Sequence, residues 1–458
     1  MQIHINDNVE IRENGHKYAL CDIKCGENII KYGAPIGHAI ADIKKGEHVH
    51  THNLKTNLSG TLEYTYSYKD YGIKRVQSNL TFDGYVRENG DVGIRNDIWI
   101  VNTVGCVNKV AQRLAEKTGA KYFSHPYGCS QLGGDHEITK KILCGMIKHP
   151  NAGGVLVVGL GCENNNIKEL KKTLGEYNEK RVKFLNCQDE DDEIAKGVSL
   201  INELKEYTST FKREKISISR LRIGLKCGGS DAYSGISANP LVGSLCDKMV
   251  SYGAGCVLTE VPEMFGAEHL LMERCVSYEV FEKTVKLIND FKEYFTNHNQ
   301  VIYENPSPGN KEGGITTLEE KSLGCVQKGG LSPVVDVLNY GEMVKKNGLS
   351  LLNGPGNDIV AATNLMACGA HMILFTTGRG TPLGTGVPTV KISTNKALAT
   401  KKQKWIDFDA SPILDGAKMA DMTNELLELV LQIASGKEAK NEENGFCEIA
   451  IFKDGVTL

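Results

Sequence analysis

The chain is dominated by a repeating pattern of apolar run, glycine loop and amphipathic segment that begins near residue 82. DIWIVNTVG (97–105) precedes CVNKVAQRLAEKTG (106–119), and GGVLVVGLG (153–161) precedes CENNNIKELKKTLGEYN (162–178). LRIGLKCGG, GLSLLNG and HMILFTTG are further apolar runs, at 221–229, 348–354 and 371–378. A buried strand followed by a helix that ends at glycine explains this order. The alternation predicts mainly parallel sheets covered by helices.

The first 70 residues follow a different pattern. HKYALCDIKCGENIIKYGAPIGHAIADIKKGEHVHTHNL (16–54) consists of short alternating segments broken by glycine turns, and DIKCGENIIKYG is echoed by DIKKGEHVHTHN. Such short segments predict a small all-β domain. A Tyr-rich stretch, YTYSYKDYGIKRVQSN (64–79), resembles a linker.

The predicted fold class is therefore α/β, with a small N-terminal all-β domain and two α/β domains. The break near 207–220 separates the last two. The predicted boundaries are 1–72 for the β domain, 73–82 for the linker, 83–215 for a Rossmann-like α/β domain and 216–458 for a C-terminal α/β domain.

Composition narrows the classes of function. The 458 residues are 41% hydrophobic and 24% charged, with a net charge of −3, so no global charge attracts nucleic acid or a membrane. No apolar run is long enough to span a bilayer, and the first ten residues do not have the layout of a signal peptide. The 14 cysteines are single, which favours reduced thiols and a cytoplasmic protein. Cytosolic proteins of this size often form symmetric homodimers.

Three histidines alternate in EHVHTHN (47–53): His48, His50 and His52. On a strand, alternate residues share a face, so the imidazoles would point the same way. That face predicts a metal site, a proton-transfer site or a polar surface.

Five loops combine glycine with reactive side chains: 125–137, 159–165, 226–235, 258–269 and 377–393. The first contains His125, Cys129 and His136, and the fourth contains Glu260 and Glu263. Such groups suit divalent metals and proton transfer, although each also has a structural reading, such as a helix cap or a solvated helix face. Cys106, Cys129, Cys162 and Cys227 each adjoin a glycine in a predicted loop.

Other common sites are not indicated. GLGCEN offers Gly159 and Gly161 to a dinucleotide but has Asn164 in place of the third glycine. The sequence contains no P-loop, no GxSxG elbow and no HExxH motif.

These loops resemble those of the altronate/galactarate dehydratase family of sugar-acid hydro-lyases. The resemblance rests on HPYGCSQLGGDH, GLGCENN, CGGSDAYSGISANP, TEVPEMFGAEHLL, NGPGND and TGRGTPLGTGVPTVKISTN. IKYGAPIGHAIADIKKGEHVHTHN resembles the N-terminal β-clip module of that family, of SAF type. The match covers the whole chain in the expected order.

The resemblance implies dehydration of a sugar acid to a 2-keto-3-deoxy acid with a divalent metal, Fe²⁺ or Mn²⁺. Removal of the α-proton needs a base and stabilisation of the enediolate, and the β-hydroxyl needs an acid. The implied catalytic residues are His52, Cys129, His136, Asp231 and Glu260. Arg379, Lys391, Gly378 and Gly380 are implied to bind the substrate, and His50, His52 and Glu163 are implied to bind the metal. His38, His48, Glu263 and His269 are secondary candidates.

Among the possible substrates, the fused β module favours altronate over galactarate. A second alternative is a related lyase that eliminates sulfite from a sulfolactate, for which the two parts sometimes lie on separate chains. A non-enzymatic alternative is a sugar-acid binding or regulatory protein on the same scaffold.

Overall fold

A computed structural model describes all residues, 1–458, and confirms the predicted fold class. A strand-rich N-terminal part is followed by an α/β part with four parallel strands and an α/β part with seven. The predicted domain boundaries remain predictions.

The N-terminal part, here called the β module, is built from two small antiparallel sheets, of order β1-β2-β5 and β3-β4-β6. Tyr32 and Gly33 connect β3 to β4, and both have positive φ (60° and 74°), which is the geometry that a two-residue hairpin turn requires. The six strands are β1 (Val9–Ile11), β2 (Lys17–Ala19), β3 (Asn28–Lys31), β4 (Ala34–Ala39), β5 (His48–Val49) and β6 (Leu54–Lys55).

Residues 56–80 form no helix or strand, yet they bind along the C-terminal part of the chain. The Tyr66 hydroxyl donates to the Cys275 carbonyl at 3.0 Å, and the Tyr64 hydroxyl donates to the Glu268 carboxylate. The amide of Lys69 donates to the Glu273 carbonyl at 2.7 Å. The Tyr-rich stretch is therefore a strap held by its hydroxyls rather than a free spacer.

The second part contains a parallel sheet of order β10-β9-β11-β12 with helices packed on it. Strand β11 is buried along its whole length, as its run of apolar residues predicts. Before it lies a small antiparallel sheet of order β13-β7-β8, in which β13 runs across the predicted boundary at 215/216. The strands are β7 (Thr81–Val86), β8 (Val92–Gly93), β9 (Asp97–Asn102), β10 (Lys121–Phe123), β11 (Ala152–Gly159), β12 (Val182–Asn186) and β13 (Glu214–Ser217). The helices are α1 (Asn108–Thr118), α2 (Gly133–Lys148), α3 (Ile167–Leu174) and α4 (Glu193–Ser209).

The third part contains a seven-stranded parallel sheet of order β16-β17-β15-β14-β18-β19-β20. Its strands are β14 (Arg222–Cys227), β15 (Gly255–Leu258), β16 (Val334–Leu338), β17 (Gly348–Leu352), β18 (Met372–Thr377), β19 (Thr389–Ser393) and β20 (Phe408–Asp409). Its helices are α5 (Ala238–Ser251), α6 (His269–Met272), α7 (Tyr278–Asn297), α8 (Pro308–Glu312), α9 (Leu318–Cys325), α10 (Asp358–Ala367), α11 (Lys396–Lys401), α12 (Met419–Ala434) and α13 (Lys440–Glu443).

Apolar packing joins the three parts. One buried cluster runs from the β module into the seven-stranded sheet and its helices, and a second combines α2 and β11 with α10 and β18. None of the helices combines the length and the apolarity needed to cross a membrane.

Candidate functional site

The seven-stranded sheet reverses its winding between β14 and β18, because the chain leaves β14 toward β15 and leaves β18 toward β19. In open parallel sheets, ligands bind at the carboxyl ends of the strands beside such a reversal. The loop after β14 and the loop after β18 meet there. The amides of Gly378 and Arg379 both donate to the Gly229 carbonyl, at 3.0 and 2.8 Å.

Asp231 holds the two loops in place. Its carboxylate accepts hydrogen bonds from the Thr394 hydroxyl at 3.0 Å and the Asn395 amide at 3.0 Å, and Asn395 also donates to the Gly378 carbonyl. Burial raises the pKa of Asp231, although these donors oppose the shift. A Cβ at Gly378 would lie 2.2 Å from the Asp231 carboxyl carbon, so only glycine fits this close approach.

The two basic residues predicted to bind substrate differ in their surroundings. Arg379 is exposed and pairs with the exposed Glu312 at 3.1 Å. Lys391 is buried, and its ammonium donates to the Leu383 carbonyl. Burial lowers the pKa of Lys391 to about 8, so this lysine changes charge near neutral pH.

A buried group of two thiols and one carboxylate lies at the end of β14, and we call it the thiol–carboxylate cluster. The Glu263 carboxylate is 3.0 Å from Cys227 Sγ and 3.1 Å from Cys325 Sγ, and the two sulfurs are 3.4 Å apart. All three residues are at most 4% exposed. Their ligand atoms lie within 4.8 Å of one another, which is close enough to hold one metal ion.

Buried ammonium groups surround this cluster. Lys328 Nζ lies 2.8 Å from Cys227 Sγ, and Lys321 Nζ lies 2.8 Å from the Glu263 carboxylate. Burial opposes ionisation of Glu263, but the two lysines more than offset it and hold the pKa of Glu263 well below its ordinary value. A hydrogen bond with the Cys227 thiol, together with burial, raises the pKa of Cys325. A divalent ion would therefore release the proton of the Cys325 thiol as it bound.

Glu260 lies beside the cluster and pairs with two lysines. Its carboxylate is 2.8 Å from Lys226 Nζ and 3.3 Å from Lys328 Nζ, and it accepts the Cys227 amide at 2.9 Å. Lys226 also pairs with Asp358 at 2.7 Å. Burial raises the pKa of Glu260, and the lysines do not fully offset this effect. Glu260 is also in the left-handed region (φ 71°), a strained conformation that often marks functional positions.

A narrow cavity of about 10 Å³ joins the two halves of the site, because both Asp231 and Cys325 line it. That volume holds about one water molecule. This cavity is therefore too small to hold a sugar acid.

The histidines of the β module do not lie along one strand as predicted. Strand β5 covers only His48 and Val49, and the chain turns after it. The imidazoles still gather, because the His48 ring centroid is 5.5 Å from that of His50 and 5.6 Å from that of His52. His16 joins them, with Nδ1 3.3 Å from His48 Nε2. The turn, rather than strand alternation, brings these rings together.

The imidazoles face the C-terminal part only in part. His50 Nε2 lies 3.1 Å from the Lys311 carbonyl, whereas His52 is exposed. His38 bonds to Asn57 instead of joining the group. Burial is the main reason that the pKa values of His48 and His50 are lowered.

The remaining predicted residues lie in the second part. The Glu163 carboxylate accepts the Thr103 hydroxyl and the amides of Leu160 and Gly161, so it closes its own loop. Cys129 is exposed, and burial lowers the pKa of the imidazole of His136.

The predicted metal set of His50, His52 and Glu163 is not brought together. The one group of three donors within 4.8 Å of each other is the thiol–carboxylate cluster. The physical reason is that the Glu163 carboxylate is used by its own loop while the histidines belong to the β module.

Three family models match successive parts of the chain. The altronate/galactarate dehydratase SAF domain matches residues 1–57, and the D-galactarate dehydratase/altronate hydrolase second domain matches residues 84–209. The D-galactarate/altronate dehydratase C-terminal domain matches residues 218–457, more than half of the chain. The chain belongs to the altronate/galactarate dehydratase family.

Curated relatives extend along the whole chain. The altronate dehydratase of Bacillus subtilis (strain 168) is 53% identical over 470 residues, covering 100% of this chain and 94% of the relative. The altronate dehydratase of Escherichia coli (strain K12) is 52% identical, covering 99% and 94%. The galactarate dehydratase (L-threo-forming) of Escherichia coli (strain K12) is 32% identical, covering 94% and 88%. Membership of the altronate/galactarate dehydratase family makes this chain an enzyme of the hydro-lyase class.

Sequence reasoning missed several residues of this dehydratase site. Cys325 and Lys328 come from α9 and the turn after it, far along the chain from Cys227. The sequence contains one signal, because LEEKSLGC is a short segment rich in charge. In the structure this segment is α9, and all eight of its residues are buried. A short charged helix that lacks an apolar stripe either lies in solvent or has its charges paired in the interior.

Two further carboxylates in these loops have structural partners in this family member, whereas the secondary candidate His269 is exposed. Glu268 accepts Lys292 at 3.0 Å as well as the Tyr64 hydroxyl. Asp135 accepts the amides of Asp454 and Gly455, at 2.9 and 2.8 Å, and so fixes the C-terminal tail. His269 is exposed at the start of α6.

Proposed function

We propose that the chain dehydrates D-altronate to a 2-keto-3-deoxy sugar acid. The observation that carries this proposal is the buried Glu260 carboxylate, paired with Lys226 and Lys328 beside the thiol–carboxylate cluster. The substrate is supported by the identity of 52–53% to two relatives named altronate dehydratase, against 32% to the galactarate dehydratase. Galactarate and a sulfolactate are the alternatives that the assay below distinguishes.

Glu260 is our choice for the base that removes the α-proton. A general base works best when its pKa is raised toward the working pH, and burial raises the pKa of Glu260. Lys226 and Lys328 lie within 3.3 Å of its carboxylate, so they can stabilise negative charge that develops on the substrate carboxylate.

Arg379, Lys391 and the backbone of Gly378 and Gly380 are proposed to hold the substrate. Arg379 has a free fork apart from its exposed pair with Glu312, and such a fork binds a carboxylate in a bidentate manner. Asp231 positions this loop, because its carboxylate fixes Thr394 and Asn395 against Gly378. His52 and His136 remain candidates for the acid that protonates the leaving hydroxyl.

The donor set of the thiol–carboxylate cluster fits a divalent metal. Thiolates prefer a borderline ion, which favours Fe²⁺ over Mn²⁺ here. The positive charges of three lysines are balanced by the carboxylates of Glu260, Glu263 and Asp358; the lysines are Lys226, Lys321 and Lys328. Two ionised thiols would therefore match the charge of one divalent ion. When bound, such an ion supplies Lewis-acid stabilisation of substrate oxygens. Cys227, Glu263 and Cys325 would hold it.

The test is an anaerobic assay of the purified protein with ferrous or manganous ion and a panel of aldonates, aldarates and sulfolactate. We expect a 2-keto-3-deoxy acid from altronate, with metal required. Turnover of galactarate or release of sulfite as the main reaction would replace the proposed substrate. Tight binding of one acid without turnover would favour the binding-protein alternative.

We also propose that the enzyme is a cytoplasmic homodimer. All 14 cysteines are free, including exposed ones, which suits a reducing compartment. Light scattering coupled to size-exclusion chromatography tests the dimer, and a monomer at micromolar concentration would refute it.

A further inference from the structure

A cysteine follows each strand of the four-stranded sheet at its carboxyl edge. In sheet order these are Cys129 after β10, Cys106 after β9, Cys162 after β11 and Cys187 after β12. The first three each follow a glycine and are exposed. Cys187 differs, because it packs on an apolar cluster and burial raises its pKa to about 11. Cys106, Cys129 and Cys162 are called the thiol triad below.

Exposure of these thiols is unusual for cysteine, which is among the most buried residue types. Only five of the 14 cysteines are exposed, and three of those five form the thiol triad. The other two, Cys21 and Cys25, lie in the β module. Three of the exposed thiols therefore lie at one edge of one sheet.

Hydrogen bonds tie the three cysteine loops together directly beside the thiols. The amide of Gly105, next to Cys106, donates to the Tyr127 carbonyl at 2.9 Å. The carbonyl of Gly128, next to Cys129, accepts the amide of Asn165 from the loop of Cys162, also at 2.9 Å. A Cβ at Gly128 would lie 2.0 Å from the Thr103 carbonyl oxygen, so the loops pack in direct contact.

Further contacts hold the middle loop in a strained shape. Ser130 has positive φ (57°), and its amide donates to the Asn164 side chain at 2.9 Å. The Gln131 side chain accepts the Gly128 amide at 3.0 Å, while its own Nε2 is buried without a partner. The Gln188 amide lies 3.5 Å from Cys162 Sγ. One amide donor thus lies beside Cys162, and a buried amide donor without a partner lies two positions along the chain from Cys129.

The spacing of the triad does not suit a single ion. The only three donors that lie within 4.8 Å of one another belong to the thiol–carboxylate cluster, so the triad is wider than that. Adjacent strands are about 4.8 Å apart, which places β10 and β11 about 10 Å apart across β9. A polynuclear centre fits this span, because each thiolate binds a different metal atom.

We propose that Cys106, Cys129 and Cys162 hold a [4Fe–4S] cluster, with one iron for each thiolate and a fourth iron without a protein ligand. Thiolates are the ligands of such clusters, and amide donors beside the sulfurs tune them. Helices α1, α2 and α3 begin shortly after the three cysteines, and their positive N-terminal ends favour an anionic centre. An iron with an open position acts as a Lewis acid for a ligand oxygen.

Assembly of the cluster needs only iron, sulfide and the three thiols. Two ferrous ions, two ferric ions and four sulfides make up the cluster in its usual oxidised state, and the three thiols release their protons as they bind iron. The occupancy of the site can be measured from iron, sulfide and visible absorption, so the measurement needs no substrate.

The test is anaerobic reconstitution of the full-length protein with ferrous and ferric iron and sulfide, followed by visible absorption and iron and sulfide analysis. We expect a brown chromophore with about four irons and four sulfides per chain. Single C106S, C129S and C162S variants should each lose most of it. C21S, an exposed thiol elsewhere, and C187S, a neighbour outside the triad, should retain it.

Other results would overturn the proposal. One is a single bound iron without sulfide in the wild-type protein. Another is an undiminished chromophore in the three triad variants. The third is loss of the chromophore in the C227S/C325S double variant instead of in the triad variants. Far-ultraviolet circular dichroism shows that each variant is folded. A protein that binds the cluster but fails to dehydrate any sugar acid would refute the proposed function alone.

Discussion

Glu320 joins the β module to helix α9 through two buried ion pairs. Its carboxylate lies 2.8 Å from Lys17 Nζ and 2.7 Å from Lys31 Nζ, and all three side chains are at most 1% exposed. Burial opposes ionisation of Glu320, but the two lysines more than offset it and hold its pKa well below the ordinary value. Burial lowers the pKa of Lys17 to about 8. One carboxylate therefore compensates two interior cations.

The substitution Glu320→Gln keeps the shape and removes the only anion of this group, so the local charge rises from +1 to +2. Breaking a buried ion pair by removing one partner costs about 3–5 kcal/mol, because the remaining charge stays in a medium that solvates it poorly. At about 1.4 kcal/mol per tenfold change, docking of the β module should weaken by about two to three and a half orders of magnitude. Hydrogen exchange of residues 1–57 measures this, since local opening is read residue by residue.

The pH dependence has a definite sign. Because the pKa of Glu320 is lowered in the folded chain, its contribution is present above the unfolded value and is lost as the pH falls through the folded value. The wild-type β module should therefore lose protection in acid, and the variant should lose less.

The exposed ion pair between Asp22 and Lys44 provides a control within the β module. Asp22→Asn removes an exposed pair with Lys44 in the same module and should leave protection unchanged. A triple variant with Lys17→Met, Lys31→Met and Glu320→Gln should recover most of the loss, because no unpaired charge remains. Wild-type protection in the single Glu320→Gln variant would show that the buried pairs do not hold the module.

Further predictions concern catalysis. Glu260→Gln should lower turnover by about 10²–10⁴-fold with the fold retained, measured as product in a single turnover, and near-normal turnover would remove Glu260 as the base. The pKa of Lys391 is about 8, and only its protonated form attracts an acid, so KM should rise as the pH increases through 8. Lys391→Met should abolish that rise, and a pH profile identical to wild type would exclude Lys391 from substrate binding. His52→Ala should abolish turnover while circular dichroism is unchanged, and full activity would return His52 to a polar surface. Asp231→Asn should raise KM more than it lowers kcat, because it loosens the loop that holds the substrate; an equal fall in kcat with KM unchanged would contradict this.

Local sequence patterns determined the architecture well. The run GGVLVVGLG became a fully buried parallel strand, and the helix predicted after DIWIVNTVG ends at Gly119 in the left-handed conformation. These predictions succeeded because they depend on neighbours along the chain: apolar periodicity and the freedom of glycine at a helix end. The β module was predicted for the same reason. Its three alternating histidines do not share one strand as predicted, since β5 ends at Val49 and a turn follows.

The candidate site needed the tertiary structure. Glycine loops at strand ends could be identified from the sequence, and Glu260, Asp231 and Arg379 do lie at the reversal between β14 and β18. The sequence could not show that Cys325, 98 positions away from Cys227, would lie 3.4 Å from it.

The sequence by itself determined which segments fold as strands and helices and that the chain resembles sugar-acid dehydratases. Only the tertiary structure decided which charged residues are paired in the interior. From the sequence alone, a lysine such as Lys226 or Lys328 is expected at the surface, because lysine is rarely buried. Its burial is stable only with a partner such as Glu260, which the loop after β15 supplies, and no local pattern places the two residues together.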